Sequence, residues 1–453
     1  MTALSFPSAP AGPPPALLAT TTSRRRLMAC AAPDLASHLA LVGPLPDAAR
    51  LPGVRVAELA AEAGLTGRGG AAFPTGRKLA SLGEAVRSGR PPVVVANGAE
   101  GEPASSKDHA LLAHAPHLVL DGLALAVRAV TGAVGSSAGG AEAHLYAPAE
   151  VVRTLAPLLV ERAAAGVDEV AVRSTAAPDR FVAGQSSAVA SAVAGGPALP
   201  RTPWPPPRLV GAGTAQRPGR PTLVMNVETL AHLGLLARLG ASWFRSVGTD
   251  DEPGTRLVTV SGAVRTPRVA EVAGGAPLAD VLSAAGGASE QLSALLVGGY
   301  HGGWVPFGER APHTASLPHS GSALAPWGAD PGAGVVIALP SRACGLRAGA
   351  DVARYLAAQT AGQCGPCVNG LPTLAEHLEA LADAGAAVPS RQHSREGLAR
   401  RVHELHRVAG LVDGRGACHH PSGSVRLVRS TLMTFADDVQ AHLGGRCLAR
   451  EER

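Results

Sequence analysis

Three cysteines near the C-terminal end of the chain have the spacing of a metal or iron–sulfur site. Cys364 and Cys367 form a C-x-x-C pair, and Cys418 follows much later in the sequence. Thiolates in such an arrangement bind iron–sulfur clusters, whereas zinc binding and a redox-active or simply buried thiol pair are competing interpretations. The spacing predicts a metal or cluster site and leaves these alternatives open.

The stretch Gly67–Lys78 has the composition of a phosphate-binding loop. It contains four glycines, two arginines and one lysine, and it has no acidic residue. Glycine lets backbone N–H groups approach a ligand closely, and the cations favour a phosphate or pyrophosphate. The pattern G-x-G-x-x-A also fits a loose dinucleotide fingerprint, but a helical pattern over residues 54–64 precedes it where a strand is required. We predict an anion site that is not an ordinary Rossmann turn, with a flexible surface loop as the alternative.

A second polar stretch follows a short apolar run. Residues 92–96 have the pattern of a buried strand, and Asn97, Glu100, Glu102 and the pair Lys107-Asp108 follow this strand. Carboxylates placed after a strand can bind ribose hydroxyls, although solvated loop acids are the simpler interpretation. This turn is predicted to lie beside the glycine-rich loop.

The order of apolar patterns predicts several domains. Strand-like runs alternate with helical runs before residue 250, which favours an α/β unit with a mostly parallel sheet. An alternating strand pattern with Gly-Gly turns follows, and the rest of the chain has helical periodicity. We predict a disordered or loosely packed segment over residues 1–45, an α/β domain over 46–250, a small domain over 251–330 and a helical domain over 331–453. Within these units, strands are predicted at 92–96, 167–172 and 222–225, and helices at 117–130, 149–165, 278–285, 348–359, 371–384, 394–411 and 424–443.

Several unusual motifs occur in an order that resembles a known family. Gly-Arg-Gly-Gly-Ala-x-Phe-Pro-Thr-Gly is followed by Asn-x-x-Glu-x-Glu-Pro, then by Lys-Asp and Asn-Val-Glu-Thr. This series resembles the NADH-binding flavoprotein subunit of respiratory complex I, an NADH-quinone oxidoreductase. Related subunits occur in soluble NAD-dependent hydrogenases and formate dehydrogenases. The resemblance implies an α/β FMN-binding domain, then a small ubiquitin-like α+β (SLBB-type) domain and a C-terminal helical iron–sulfur bundle.

The resemblance also implies binding residues for FMN and for NAD(H). The cofactor-binding positions are Gly67, Arg68, Gly69, Gly70, Phe73, Lys78, Asn97 and Asn226, with Phe73 on the nicotinamide side. Two family positions differ, since Ala99 replaces an aspartate and Ala72 replaces the third loop glycine. For Asn97 and Asn226, capping of a turn or a strand end is the alternative role.

The nicotinamide side is where the chain departs furthest from the family. Glu100 and Glu102 remain as the implied catalytic acids, but Leu79 replaces an aromatic residue, and Gln185-Ser186 replaces a Glu-Glu pair. Each lost charged hydrogen bond should weaken NADH binding by roughly 1–3 kcal/mol. We therefore expect poor NADH binding compared with other family members.

For the cysteines, the resemblance implies a 4Fe–4S cluster bound by Cys364, Cys367 and Cys418. The family's first closely spaced cysteine is Ala361 here. Cys344, His419 or His420 could supply the missing ligand, and a 3Fe–4S cluster is the other outcome. The outlying Cys30 and Cys447 are expected to be inert thiols.

Composition excludes several classes of protein. The 453-residue chain has a net charge of +5 and no basic run with interleaved aromatics, which argues against nucleic-acid binding. No apolar run reaches the ~18 residues that a membrane helix needs. Arg24 and Arg25 suggest an export signal, but Pro33 and Asp34 interrupt any apolar region after them. We expect a cytoplasmic protein that is not an integral membrane protein, peripheral to the inner face of the membrane through a partner if it is membrane-associated.

These inferences predict a flavin and iron–sulfur oxidoreductase. It would pass electrons between NADH, or a ferredoxin, and a ferredoxin-like or other electron-transfer subunit. The alternative is a degenerate, non-catalytic homologue that serves as a scaffold or an electron-relay subunit. The missing cysteine at Ala361 and the missing Glu-Glu pair are what favour this alternative.

Overall fold

The computed structural model describes residues 17–19, 26–86, 91–132, 140–201, 219–309, 311–385 and 394–451. The strands are β1 Leu17–Ala19, β2 Val93–Asn97, β3 Glu142–Pro148, β4 Val172–Ala177, β5 Thr222–Asn226, β6 Thr255–Gly262, β7 Arg268–Ala273, β8 Leu292–Val297, β9 Gly303–Pro306 and β10 Val335–Pro340. The helices are α1 Leu35–Val42, α2 Gly53–Glu62, α3 Thr75–Val86, α4 Lys107–His114, α5 Pro116–Thr131, α6 Ala149–Ala164, α7 Ser186–Val193, α8 Val227–Arg245, α9 Leu278–Ser283, α10 Gly321–Leu324, α11 Gly345–Ala358, α12 Leu371–Ala384, α13 Arg395–Val412, α14 His420–Thr434, α15 Ala436–Leu443 and α16 Leu448–Glu451.

The first part of the chain forms a four-stranded parallel sheet in the order β4-β3-β2-β5. Its central strands β2 and β3 are buried along almost their whole length, because helices cover both faces of the sheet. The register pairs Asn97 of β2 with Asn226 of β5, so both asparagines lie at the carboxyl edge of the sheet. Ligands of open parallel sheets bind at this edge.

The second sheet has six strands in the order β1-β7-β6-β10-β8-β9, and most of its pairs are antiparallel. One face packs on α9 through a separate apolar core. The other face packs on the C-terminal helices, where the Trp304 ring contacts Phe435. Because Leu257 and Val269 also join the apolar core of the first unit, this small α+β unit contacts both the parallel-sheet unit and the helical unit.

The C-terminal helices form a helical unit as predicted, but it begins later than residue 331, because Val335–Pro340 is strand β10 of the six-stranded sheet. α11 and α12 pack closely against each other as a hairpin, and α13 and α14 complete the bundle. The helix predicted over residues 424–443 is two helices, because the backbone leaves helical geometry at Phe435. The α11–α12 hairpin positions the cysteine sites described below.

Two predictions about the first half of the chain are wrong. Residues 26–45 are not loosely packed, since Arg26 and Leu27 are buried and Arg26 Nη2 donates to the Trp243 carbonyl at 2.9 Å. The part of the predicted tail before residue 26 lies outside the described residues, apart from β1. The strand predicted at 167–172 begins only at Val172, because Asp168 pairs with Arg162 and holds the preceding residues in a turn.

No single helix in the described ranges is both long and apolar enough to cross a membrane. α4 and α5 meet these criteria only when taken together, and the pair is bent by 97°. Almost all of α5 is buried inside the protein. It serves as a core helix under the parallel sheet.

Candidate functional site

The glycine-rich loop joins α2 to α3 and is closed by its own backbone. Gly67 N–H donates to the Phe73 carbonyl at 2.9 Å, and Thr75 N–H donates to the Leu65 carbonyl at 2.9 Å. Residues 69–74 are exposed. Gly70 has φ 102° and Ala72 has φ 46°, a left-handed conformation that is uncommon for a residue with a side chain. The loop thus exposes its backbone groups to solvent, while these hydrogen bonds hold its two ends together.

Gly69 and Lys78 face the carboxyl edge of the parallel sheet. A Cβ atom on Gly69 would lie 3.2 Å from the Asn226 Cβ, so a larger side chain would crowd that edge. Lys78 Nζ donates to the Val224 carbonyl at 2.5 Å, and burial lowers the pKa of Lys78 to about 8. Among the ion pairs of the described residues, none involves Lys78. A buried ammonium without a carboxylate favours an anionic ligand.

Arg68 and Phe73 occupy different surroundings. The Arg68 guanidinium is buried, donates to the Pro253 carbonyl at 3.2 Å and lies 3.7 Å from a carboxylate oxygen of Glu252. Burial lowers the pKa of Arg68 to about 10. Its side chain therefore joins the loop to the turn that precedes β6, whereas Phe73 is 45% exposed at the mouth of the loop. A ligand role of the Arg68 side chain stays a prediction.

Asn97 and Asn226 end their strands, and the side chain of each caps the segment that follows. Asn97 Oδ1 accepts from the Ala99 N–H at 3.2 Å, and its Nδ2 donates to the Gly184 carbonyl at 2.9 Å. Asn226 Oδ1 accepts from the Glu228 N–H at 3.0 Å and caps α8. The capping alternative is thus observed, and cofactor contact by the same side chains remains untested.

A buried ionic network that sequence reasoning did not include supports the loop. Lys107 Nζ donates to the Arg68 carbonyl at 2.9 Å and to Glu228 at 2.5 Å. Glu228 also accepts from the Leu257 N–H at 2.8 Å, so it connects α8 with β6. Burial opposes ionisation, but Asp108 and Glu228 raise the pKa of Lys107 above its usual value. In the sequence, the Lys-Asp and Asn-Val-Glu-Thr motifs contain Lys107, Asp108 and Glu228, so they could have indicated this network.

Glu100 and Glu102, the predicted catalytic acids, both bind backbone amides. Glu100 accepts from the N–H groups of Asp108 and His109 at 3.1 Å and caps the N-terminus of α4. Glu102 accepts from the Tyr300 N–H at 2.7 Å, which connects the turn to the six-stranded sheet. Burial raises the pKa of Glu102 to about 7. Neither acid is a freely solvated loop residue, and their catalytic role stays a prediction.

Gln185 and Ser186 lie at the N-terminus of α7. Gln185 Oε1 accepts from the Ser187 N–H at 2.8 Å and from the Ala188 N–H at 3.2 Å, so Gln185 is the N-cap of this helix. Ser186 is exposed. Of the two positions where the family has glutamates, the second is the one that faces outward.

The three predicted cluster ligands lie together at one end of the α11–α12 hairpin. Cys367 N–H donates to the Cys364 carbonyl at 3.1 Å in the turn before α12. Burial raises the pKa of the Cys367 thiol to about 12, and the neighbouring Cys364 and Cys418 sulfurs add to this shift. Cys364 and Cys418 are partly exposed. The site is therefore accessible from solvent.

The candidates for a fourth ligand differ in position. His420 is buried, with Nε2 2.9 Å from the Leu356 carbonyl oxygen and Nδ1 3.1 Å from His301 Nε2, so both ring nitrogens have partners. His419 is exposed beside Cys418. Cys344 is at the N-terminus of α11, whose 14 residues span about 21 Å. This distance removes Cys344 from the cluster site.

An aromatic group connects the two sites. Phe181 packs 5.4 Å, between ring centroids, from His420 and 6.3 Å from Tyr355. Its N–H donates to Gln359 Oε1 at 3.2 Å, just before the cysteine turn. Phe181 begins the 3-10 turn that ends at Gly184, the partner of Asn97.

Comparison with known proteins matches three consecutive parts of the chain. Residues 60–234 match the Nuo51 FMN-binding domain, residues 257–299 the SLBB domain and residues 347–442 the NADH-ubiquinone oxidoreductase-F iron-sulfur binding region. The F subunit 2 of the NADH-quinone oxidoreductase of Rhizobium meliloti is 27% identical over 86% of this chain and 88% of its own length. The F subunit of the Streptomyces coelicolor enzyme is 27% identical over 85% and 82%.

This chain is a diverged member of the NADH-quinone oxidoreductase flavoproteins.

A solved structure supports the same conclusion. A chain of an NAD+-reducing NiFe-hydrogenase in the H2-reduced state superimposes with a TM-score of 0.73 at 27% identity. The match covers 86% of this diverged flavoprotein but only 63% of the hydrogenase chain. The loop glycines, Asn97 and Asn226 fall inside the first matched domain, and the three cysteines predicted to bind a cluster fall inside the third.

Proposed function

We propose that the protein is an oxidoreductase that uses FMN and an iron–sulfur cluster to pass electrons between NADH and a protein partner. The NADH-quinone oxidoreductase relatives and the matched FMN-binding and iron–sulfur domains support this class of activity. The single observation that carries the proposal is the short connection from Asn97 through Gly184 and Phe181 to His420, two residues after Cys418. It joins the proposed flavin edge to the cysteine site.

The residues at the sheet edge fit FMN. Lys78 supplies a partly desolvated cation, and the loop glycines leave room for close approach to Asn226. Asn97 and Asn226 lie at the ends of adjacent strands, although their side-chain amides are hydrogen-bonded within the protein. When bound, FMN supplies two-electron hydride chemistry and one-electron transfer. The role of this chain's residues is to bind the phosphate, position the ring and keep it near the cysteine site.

The cysteine site fits three corners of a cluster. Cys364 and Cys367 lie on one turn, and Cys418 approaches from the start of α14. Ala361 cannot donate to a metal, so the fourth corner would be filled by solvent or by the exposed His419. We propose a 4Fe–4S-type cluster whose unique iron is labile.

The residues expected to contact the nicotinamide support weak binding of NADH. Phe73 is exposed at the mouth of the loop, and Glu102 binds a backbone amide next to the six-stranded sheet. At the exposed one of the two positions where the family has glutamates, however, this chain has Ser186. We propose that NADH binds weakly and that a ferredoxin-like or other electron-transfer subunit is the electron partner. We further propose that the protein acts in the cytoplasm, attached to any membrane only through that partner.

The decisive experiment measures flavin and iron in anaerobically purified protein. Lys78→Ala should lose most of its flavin and retain its iron, because only the phosphate site loses its cation. The exposed neighbour Arg77→Ala is the matched control and should retain both. Gly69→Asp adds a carboxylate and a Cβ beside Asn226, and it should also lose flavin.

The outcome separates the proposal from its alternative. Flavin content unchanged by Lys78→Ala would show that the flavin site is elsewhere. A folded wild-type protein with neither flavin nor iron after reconstitution would favour a non-catalytic scaffold. Iron without flavin would favour an electron-relay role.

A further inference from the structure

A second group of metal-ligating side chains lies away from the cluster cysteines. Cys344, His442 and Cys447 each offer one ligand atom, and these three atoms all lie within 4.8 Å of one another. His442 and Cys447 are buried, and Cys344 is partly exposed. Two thiols and an imidazole are typical ligands of zinc.

The spacing fits a tetrahedral ion. With zinc bonds of about 2.3 Å to sulfur and about 2.0–2.1 Å to nitrogen, tetrahedral angles separate these two atoms by roughly 3.6 Å. Cys344 Sγ lies 3.6 Å from His442 Nε2. The two ligand atoms are thus already separated as they would be around a bound ion.

The orientation of His442 also fits a metal ligand. Its Nδ1 lies 2.9 Å from the Leu381 carbonyl oxygen and 3.2 Å from the Gly385 backbone nitrogen, whose N–H can donate to it. In the tautomer that carries its proton on Nδ1 and donates to the Leu381 carbonyl, the Nε2 lone pair points toward Cys344. Metal-binding histidines commonly donate their other N–H to a backbone carbonyl in this way, which fixes the tautomer.

This group is distinct from the cluster site. Cys344 is the N-cap of α11, whereas Cys364 follows the C-terminal end of that helix. His442 contacts Leu381 near the end of α12, whereas Cys367 precedes α12. The two thiol sites therefore lie at opposite ends of the α11–α12 hairpin.

A small cavity lies next to this group. Its volume is about 120 Å³, and it is lined by the chain neighbours of both cysteines and by Asp438, but by none of the three ligand side chains themselves. It exceeds the space that one water molecule requires. We expect a water that enters from this side, or the Asp438 carboxylate after a rotamer change, to be the fourth ligand.

We propose that Cys344, His442 and Cys447 bind one zinc ion that fixes the C-terminal segment against the start of α11. The ion joins three parts of the chain: the N-terminus of α11, the last turn of α15 and the residue before α16. Cys447 is therefore a ligand, not the inert thiol that the sequence predicts. Zinc has no redox chemistry, so this site is structural and separate from electron transfer.

The test measures zinc, iron and flavin together in anaerobically purified full-length protein. Wild type should contain one zinc per chain in addition to its iron. Cys447→Ser should lose this zinc and keep its iron, whereas Cys418→Ser should keep zinc and lose iron. The exposed His403→Gln is the control for the His442→Gln variant and should retain zinc.

Two measurements on wild type make the test independent of how the variants fold. Removal of zinc by a chelator should lower the thermal midpoint, and added zinc should restore it, because a ligand that binds only the folded state stabilises it. Cobalt(II) in place of zinc should give the intense visible bands of a tetrahedral site and a thiolate charge-transfer band.

Several results would overturn the proposal. One is wild-type protein that contains no zinc and shows no change in midpoint when zinc is added. Another is zinc that persists in Cys447→Ser. Another is a disulfide between Cys344 and Cys447 in anaerobically handled protein, detected by mass spectrometry. It would show that the two sulfur atoms bond to each other and do not bind a metal.

Discussion

Lys107 Nζ lies 2.5 Å from a carboxylate oxygen of Glu228, and both side chains are almost completely buried. The same ammonium donates to the Arg68 carbonyl, and the same carboxylate accepts from the Leu257 N–H. One ion pair therefore holds the glycine-rich loop, the start of α8 and β6 together. This contact therefore supports the shape of the proposed flavin site.

Removing one partner of this pair should be costly. Glu228→Gln keeps the size of the side chain but leaves the buried Lys107 ammonium with a neutral amide and with the Asp108 carboxylate at 3.3 Å. We expect a loss of about 3–5 kcal/mol in the free energy of unfolding, measured by chemical denaturation, together with loss of bound flavin. Glu62→Gln is the control, because its 2.5 Å ion pair with Arg55 is exposed and its loss should leave the unfolding midpoint nearly unchanged. Equal effects of the two substitutions would contradict this interpretation.

Glu102 should make stability depend on pH. Burial raises its folded pKa to about 7 from an ordinary value of 4.5. The folded state therefore keeps this proton to a higher pH than the unfolded state does. The stabilisation that protonation provides is fully present below about pH 4.5 and is lost as the pH rises through about 7.

The measurement is the unfolding free energy of wild type and of Glu102→Gln between pH 5 and pH 8. The wild type should lose up to roughly 3 kcal/mol more than the variant over this range. Glu150→Gln, at an exposed position on α6, should follow the wild-type profile. Parallel profiles for wild type and Glu102→Gln would show that Glu102 ionises normally in the folded protein.

The position of Gln185 sharpens the expectation about NADH. Because its side chain caps α7, Gln185→Glu should only charge this cap and change the KM for NADH little. Ser186→Glu adds a carboxylate at the exposed position and should lower the KM by about 5- to 150-fold, the equivalent of 1–3 kcal/mol. Steady-state oxidation of NADH with an artificial acceptor measures both variants. Tight, fast turnover by the wild type would contradict the proposed weak binding.

The missing cysteine predicts an unstable corner of the cluster. Anaerobically reconstituted wild type should show a 3Fe–4S signal by electron paramagnetic resonance after mild oxidation. Ala361→Cys should suppress this signal and give a stable 4Fe–4S cluster, because a fourth thiolate then holds the unique iron. If wild type retains four irons after oxidation, His419→Ala should release one, since His419 is the exposed candidate beside Cys418. Retention in that variant as well would point to a ligand from solvent or a partner.

Local patterns in the sequence determined much of the architecture. The helix at 371–384 has the predicted bounds, and the strands at β2 and β5 differ from prediction by one residue at their ends. Periodic apolar runs specify such elements without help from distant residues. The order of the motifs was also enough to indicate the family, whereas the assignment of three cysteines as cluster ligands stays a prediction.

Only the tertiary structure decided which polar side chains meet. By sequence, Asp168 fits a strand, whereas its ion pair with Arg162 places it in a turn. Cys447 has the sequence context of an inert thiol, but α15 carries His442 beside it. Gln185 looks like a lost acid, whereas the fold makes it the cap of α7. These roles depend on contacts that local patterns do not specify, and the energy of a buried charge or thiol is set by such neighbours.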